Sequence, residues 1–248
     1  MGVENKVAII TGASRGIGKS IALCLASEGI HIVVNGTNEA LLTELTEQVE
    51  SNGGTCIKVA GDASLPETAE KLVEAALDRF GQIDILVNNA GINMRHSTLE
   101  TTLEDWKKVI DINLTGTFLL SKAVLPAMIK QGAGKIINIS STASKTPHKN
   151  AAPSYGASKA GVNYLTMHLA QEMAKHNIHV NAVSPGPIET DMSKQWTPEY
   201  RETVVEKIPL KRIGHTKNVA DVVRFLASDE ADFITGQTIN VNGGTFMN

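Results

Sequence analysis

Apolar and polar positions along this chain switch between two periods. Short, nearly continuous apolar runs at residues 6–11, 31–35, 56–60, 84–88, 135–139, 178–183 and 238–241 are punctuated by glycine, asparagine or proline. They lack the alternation of a strand with one wet face, so they predict strands buried on both sides. Between them lie longer stretches with helical spacing. Residues 19–27 close on Gly29, and 39–51 place Leu41, Leu42, Leu45 and Val49 on one side before Asn52-Gly53-Gly54. Pro66 opens a helix with Ala69, Leu72, Val73, Ala76 and Phe80 inward. Residues 103–129, 154–175 and 219–226 complete the set. Strand and helix alternate from end to end, which predicts an α/β fold: a doubly wound parallel sheet with helices on both faces.

Composition narrows this to one domain over residues 1–248, with no internal repeat and no low-complexity linker. The chain is 42% hydrophobic and 20% charged, enough to bury a large core. Its 23 basic and 26 acidic residues give a net charge of −3 with no basic cluster, which argues against nucleic acid as a partner. Cys24 and Cys56 stand apart in apolar surroundings and read as reduced structural thiols, consistent with a cytoplasmic location. Residues 1–12 carry no apolar signal core or lipidation pattern, and no later run is expected to approach membrane-spanning length.

The first strand ends in Gly12-Ala13-Ser14-Arg15-Gly16-Ile17-Gly18 and a helix follows. Glycines there permit a tight turn and let a diphosphate approach helix-terminal amides, where the helix dipole favours anions. The spacing is Gly-x-x-x-Gly-x-Gly, so a plain turn remains the competing reading. After the second strand, where an NAD-preferring site places an acid, stand Gly36 and Thr37. That leaves room for a 2′-phosphate, and Arg15 supplies a cation; NADP(H) is therefore expected, with NAD(H) as the alternative. Asp62, in Gly61-Asp62-Ala63, reads as a turn cap ahead of an adenine contact. Asn88-Asn89-Ala90-Gly91 ends the fourth strand with small residues that admit a flat ligand.

Tyr155 and Lys159 lie four apart near the start of the helix expected over 154–175, hence on one face. A nearby ammonium favours the phenolate, which makes Tyr155 a candidate general acid and base; an interfacial tyrosine beside a solvated lysine is the bland alternative. Ser141, just past the fifth strand, can bond a substrate oxygen and the phenol together. No Gly-x-Ser-x-Gly elbow or acid–histidine pair surrounds it, which disfavours a hydrolase. Asn113, polar among Val109, Ile110, Ile112, Leu114 and Phe118, must find partners and is expected to hold a helix distortion. The loop from Pro185-Gly186 onward, residues 186–212, is expected to act as a lid.

The set Thr11-Gly12-x-x-x-Gly16-x-Gly18, Asn88-Asn89-Ala90-Gly91, Asn113, Ser141, Tyr155-x-x-x-Lys159 and Pro185-Gly186 resembles the short-chain dehydrogenase/reductase family over essentially the whole chain. Pro187-Ile188-Glu189-Thr190-Asp191-Met192 and the segment from Phe225 to Gly244 are most similar to the 3-oxoacyl-[acyl-carrier-protein] reductases of fatty-acid biosynthesis. The resemblance implies a Rossmann-type domain, a homotetramer and a catalytic tetrad of Asn113, Ser141, Tyr155 and Lys159. It implies a dinucleotide held by Gly12, Ser14, Arg15, Gly16, Ile17 and Gly18, by Thr37, Asp62 and Ala63, and by Asn89, Ala90 and Gly91. Tyr155, Lys159, Pro185, Gly186, Ile188 and Thr190 complete that surface. Ser141 would orient the oxyanion, Tyr155 donate the proton, and Lys159 lower the phenol's pKa and, with Asn113 and a water, complete a relay. No metal is implied. Two departures bear on the substrate. Gly132 and His176 stand where some such reductases carry carrier-docking arginines, with Lys130, Lys135 and Lys175 nearby, and the loop from Ser141 to Tyr155 is about one residue longer. A small polyol, sugar, ketone or hydroxysteroid is the alternative substrate, and a non-catalytic dinucleotide sensor the alternative role.

Overall fold

The computed structural model describes residues 5–190, 193 and 196–247; Asp191 and Met192 of the expected lid lie outside the described residues. Strands β1 (Val7–Ile10), β2 (His31–Gly36), β3 (Cys56–Ala60), β4 (Ile85–Asn88), β5 (Gly134–Ile139), β6 (Ile178–Pro185) and β9 (Thr238–Val241) form one sheet in the order β3-β2-β1-β4-β5-β6-β9. Every neighbouring pair is parallel. The period of two splits each strand between two cores. In β1, Ala8 and Ile10 pack under helices α1 (Gly16–Ala26), α2 (Glu39–Ser51) and α8 (Thr216–Ala227). Val7 and Ile9 face α3 (Pro66–Phe80), α5 (Gly116–Gln131) and α6 (Pro153–Met173). Both faces of the inner strands are covered, which is why those read as unbroken apolar runs, whereas Lys58 and Ala60 of the edge strand β3 are exposed. The order reverses between β1 and β4, and a crevice opens at their carboxyl ends.

The expected helix over 103–129 is a continuous helical path of 29 residues in three parts. Helix α4 (Leu103–Ile110) passes through a π-helical turn at Asp111–Thr115 into α5. The turn contains the fully buried Asn113, in keeping with the expected distortion. Contrary to the expectation from sequence, this path is long and apolar enough by length and composition to cross a membrane. Its apolarity has another use: Leu120, Val124 and Met128 sit in the core beside Leu72 and Ile136. Helix α6 stops at Met173, short of the expected end, and continues as a 3-10 turn to Asn177, whose φ of +57° ends it.

The lid differs most from expectation. Residues 188–189 and 214–215 form a two-stranded parallel ribbon, β7 (Ile188–Glu189) with β8 (Gly214–His215). Helix α7 (Pro198–Lys207) stands between them, capped by the Thr197 hydroxyl with proline in its first turn. None of its residues is buried, so no apolar stripe announces it; the Thr-Pro start was the available signal.

Candidate active site

The loop after β1 and the loop after β4 are laced together. The Thr11 hydroxyl accepts from the backbone amides of Asn89 (3.1 Å) and Ala90 (3.0 Å), while Asn89 Nδ2 donates to the carbonyls of Thr11 (2.9 Å) and Gly12 (3.0 Å). This closeness is what the glycines serve. A Cβ on Gly12, whose φ is +61°, would lie 2.8 Å from Ala90 Cα, and one on Gly18 would lie 2.4 Å from the Gly12 carbonyl. Helix α1 begins at Gly16, with Ile17 and Gly18 in its first turn and the exposed Arg15 at its cap. Its N-terminus follows the loop at the end of β1, without a side-chain cap and with no acidic residue in the first turn.

Around this loop the expected residues fall into place unevenly. Ser14 flanks Gly36, whose Cβ would meet it at 3.3 Å, and Thr190 Cγ2 lies 3.8 Å from the Cβ position of Gly16. Pro185 ends β6; Gly186 abuts Asn242, and Ile188 is buried in the ribbon. Thr37 is exposed at the end of β2. The Asp62 carboxylate caps its own turn through the Ser64 amide (2.9 Å) and hydroxyl (2.7 Å), the reading favoured from sequence, and Ala63 is buried behind it.

Beyond Gly91 stands the tetrad. A Cβ on Gly91 would sit 3.3 Å from Asn113 Oδ1 and 3.4 Å from Lys159 Nζ, so the strand end and both side chains converge. Asn113 exchanges hydrogen bonds with the backbone of Ile92, and its Nδ2 also donates to Ser158 Oγ (3.0 Å). Ser158 in turn donates to the Tyr155 carbonyl (2.8 Å), which ties the π turn to α6. Ser141 caps the 3-10 turn Thr142–Ser144 by accepting from the Ala143 amide (3.1 Å), and its hydroxyl lies near enough to the Tyr155 phenol to favour the ionised form. Thr11, Ile92, Ser158 and Ile139 were not foreseen as partners. Two of them gave a sequence signal: Thr11, which heads the glycine motif, and Ser158, a small hydroxyl between Tyr155 and Lys159.

Electrostatics depart from expectation. Lys159 was expected to lower the phenol's pKa. Here burial raises Tyr155, opposed by the Ser141 hydrogen bond. The ammonium lies 6.0 Å from the phenol ring centroid and donates to the Ile139 carbonyl at 2.7 Å. Burial also brings Lys159 down to about 8. Desolvation wins because neither group has a full countercharge and the lysine's own charge is disfavoured. Among the described residues no cluster of metal-ligating side chains is present.

The model of the enoyl-(acyl carrier protein) reductase family matches residues 12–245. The chain belongs to the short-chain dehydrogenase/reductase family. It is 45% identical to a 3-oxoacyl-[acyl-carrier-protein] reductase of Synechocystis sp., over 98% of this chain and 97% of that one. It is 42% identical to one of Vibrio cholerae over the full length of both. The solved structure of a 3-oxoacyl-[acyl-carrier protein] reductase from Brucella melitensis superposes with a TM-score of 0.93 at 37% identity, covering 99% of this chain and 93% of that one. As a short-chain dehydrogenase/reductase the chain is an NAD(P)-dependent oxidoreductase. Its residues fit such a dinucleotide: glycines stand where a Cβ would collide, the N-terminus of α1 is free of acidic residues and of a side-chain cap, and Lys159 presents a cation beside Gly91.

Proposed function

We propose that this chain is an NADPH-dependent 3-oxoacyl-[acyl-carrier-protein] reductase. The observation that carries the chemistry is the convergence of Asn113, Tyr155 and Lys159 beside Gly91, with Ser141 near the Tyr155 phenol. The reduced nicotinamide, when bound, supplies the hydride. Ser141 donates to the substrate carbonyl oxygen and polarises it; Tyr155 gives that oxygen its proton as negative charge develops. A phenol is neutral at neutral pH, the form that the acid role in the reductive direction requires. Lys159 holds the cofactor's ribose and Asn113 fixes the strand end beside it. Gly12, Ser14, Arg15, Gly16, Ile17 and Gly18 take the phosphates, with Arg15 and Thr37 at the adenosine end giving the NADPH preference. Asp62 and Ala63 flank the adenine. Asn89, Ala90, Gly91, Pro185, Gly186, Ile188 and Thr190 line the nicotinamide half, under a lid from residues 186–212.

The fatty-acid substrate rests on relatives such as the Synechocystis and Vibrio cholerae reductases. Of the cations near the docking positions, Lys130 and Lys175 are exposed. Lys135 is half-buried and its Nζ has no hydrogen-bond partner, so it is a poor docking group. The exposed apolar residues Phe118 on α5 and Tyr164 and Met167 on α6 support an oligomer, for which we propose the family's homotetramer; the free Cys24 and Cys56 support the cytoplasm. A second reading, a sugar-acid or polyol dehydrogenase, is favoured by an equally good superposition on a candidate gluconate dehydrogenase from Agrobacterium tumefaciens, TM-score 0.93 at 34% identity. Oxidation of NADPH, with NADH in parallel, against acetoacetyl-carrier protein and a panel of ketones and sugars decides between them. Fast thioester reduction with NADPH establishes the first reading. Inert thioesters with a reactive free ketone or polyol establish the second, and no turnover at all leaves a dinucleotide sensor.

A further inference from the structure

The lengthened loop between Ser141 and Tyr155 folds back on its own base. His148, at its exposed rim, brings Nε2 to within 3.1 Å of the hydroxyl of Thr142, the residue next to Ser141. That hydroxyl is buried. A buried hydroxyl must find a partner, and here the partner is the imidazole.

The rest of the turn is fixed from the other side. Ser144 Oγ donates to the Ser141 carbonyl (2.6 Å) and accepts from Asn163 Nδ2 of α6 (2.8 Å). The Thr142 carbonyl accepts from the amides of Lys145 (3.0 Å) and Thr146 (3.1 Å). The His148 carbonyl accepts from the Ala151 amide (3.1 Å), so the histidine is anchored by its backbone as well. One side-chain contact therefore spans from the substrate rim to the turn that carries the serine hydroxyl.

We propose that His148 is a positioning residue for the reduction: its imidazole holds the Thr142 hydroxyl and thereby fixes the turn that presents Ser141 to Tyr155. The inference rests on the catalytic reading of Ser141 and Tyr155 given above. Partial desolvation against Thr142 holds the imidazole's pKa below its ordinary value, which favours the neutral ring in this contact. The residue touches neither substrate nor cofactor in this role; it acts through Thr142.

The test is steady-state reduction of acetoacetyl-coenzyme A and of a simple ketone, with NADPH affinity followed by its fluorescence. His148→Phe keeps a ring but loses the contact, and Thr142→Val loses it from the buried side with little change of volume. Each is expected to lower kcat about tenfold while leaving the NADPH dissociation constant within about twofold, and the two together to cost no more than either alone. His148→Gln, which keeps both a donor and an acceptor within reach, is expected to recover most of the loss. Wild-type kcat in both single variants would overturn the proposal, as would multiplicative losses in the double variant or a change confined to substrate KM. Ser141→Ala separates the two levels. If it is silent, or if the wild-type chain reduces no carbonyl compound, the catalytic reading fails and the inference with it; if Ser141→Ala is inactive while His148→Phe is unaffected, only the inference fails.

Discussion

Asn113 and Ile92 are paired as two strands would pair: Asn113 Nδ2 donates to the Ile92 carbonyl at 3.0 Å and Asn113 Oδ1 accepts from the Ile92 amide at 2.8 Å. The side chain thus continues the hydrogen-bonding of a strand that ended at Asn88. The π turn places it there by widening one turn of the path. Asn113→Leu fills the space but strands both backbone groups of Ile92 and removes one of the two hydrogen bonds of the Ser158 hydroxyl. Each unpaired buried group costs about 1–3 kcal/mol, so a stability loss of roughly 2 kcal/mol or more is expected in urea unfolding. A loss under about 0.5 kcal/mol would mean that solvent replaces the amide.

Tyr155→Phe removes the proton donor and the partner of Ser141 with almost no change of shape. NADPH affinity should stay nearly intact while turnover falls about 10²-fold or more. Wild-type turnover in this variant would remove Tyr155 from the acid role and leave Ser141 without its partner.

The parts of this molecule legible in the sequence are those written in local pattern. Unbroken runs such as Val7-Ala8-Ile9-Ile10 announce strands covered on both faces, and Gly12, Gly16 and Gly18 announce a backbone that other chain segments approach closely. The isolated polarity of Asn113 announced the distortion. Contacts that depend on the fold were not legible. Ile139 accepts from Lys159 only because β5 runs beneath α6, and the same burial that brings them together reverses the expected effect on Tyr155. Helix α7 escaped because it buries nothing in the described chain, so propensity and a cap are all that mark it.

The proposed NADPH preference is testable at the end of β2. Thr37 is exposed and follows Gly36, and Arg15 is exposed on the glycine loop. Thr37→Asp puts a carboxylate where it repels a 2′-phosphate and accepts from a 2′-hydroxyl; the NADPH-to-NADH ratio of kcat/KM should fall about tenfold or more. Arg15→Ala should weaken NADPH about tenfold and leave NADH nearly unchanged. Equal losses for both cofactors would place Arg15 on the diphosphate.

Lys159 supplies a prediction that needs no substrate. Its ammonium is buried, and the pKa falls from 10.5 to about 8. Between those values the unfolded chain holds a proton that the folded chain has released, so stability from this group rises with pH across the window. Below about pH 8 both states are charged and the burial cost is constant. Other groups titrate in the same range: Cys56, raised to about 11, works in the opposite sense, and Lys135, also lowered, works in the same sense. Comparison with Lys159→Met isolates the term, because the replacement keeps the long chain and loses the charge. Relative to that variant, the cofactor-free wild-type protein should gain on the order of 1–2 kcal/mol in urea unfolding between pH 7.5 and 9.5. A flat difference would mean that the ammonium keeps an ordinary pKa, that water reaches it beside Gly91, and that its bond to the Ile139 carbonyl does not shield it from solvent.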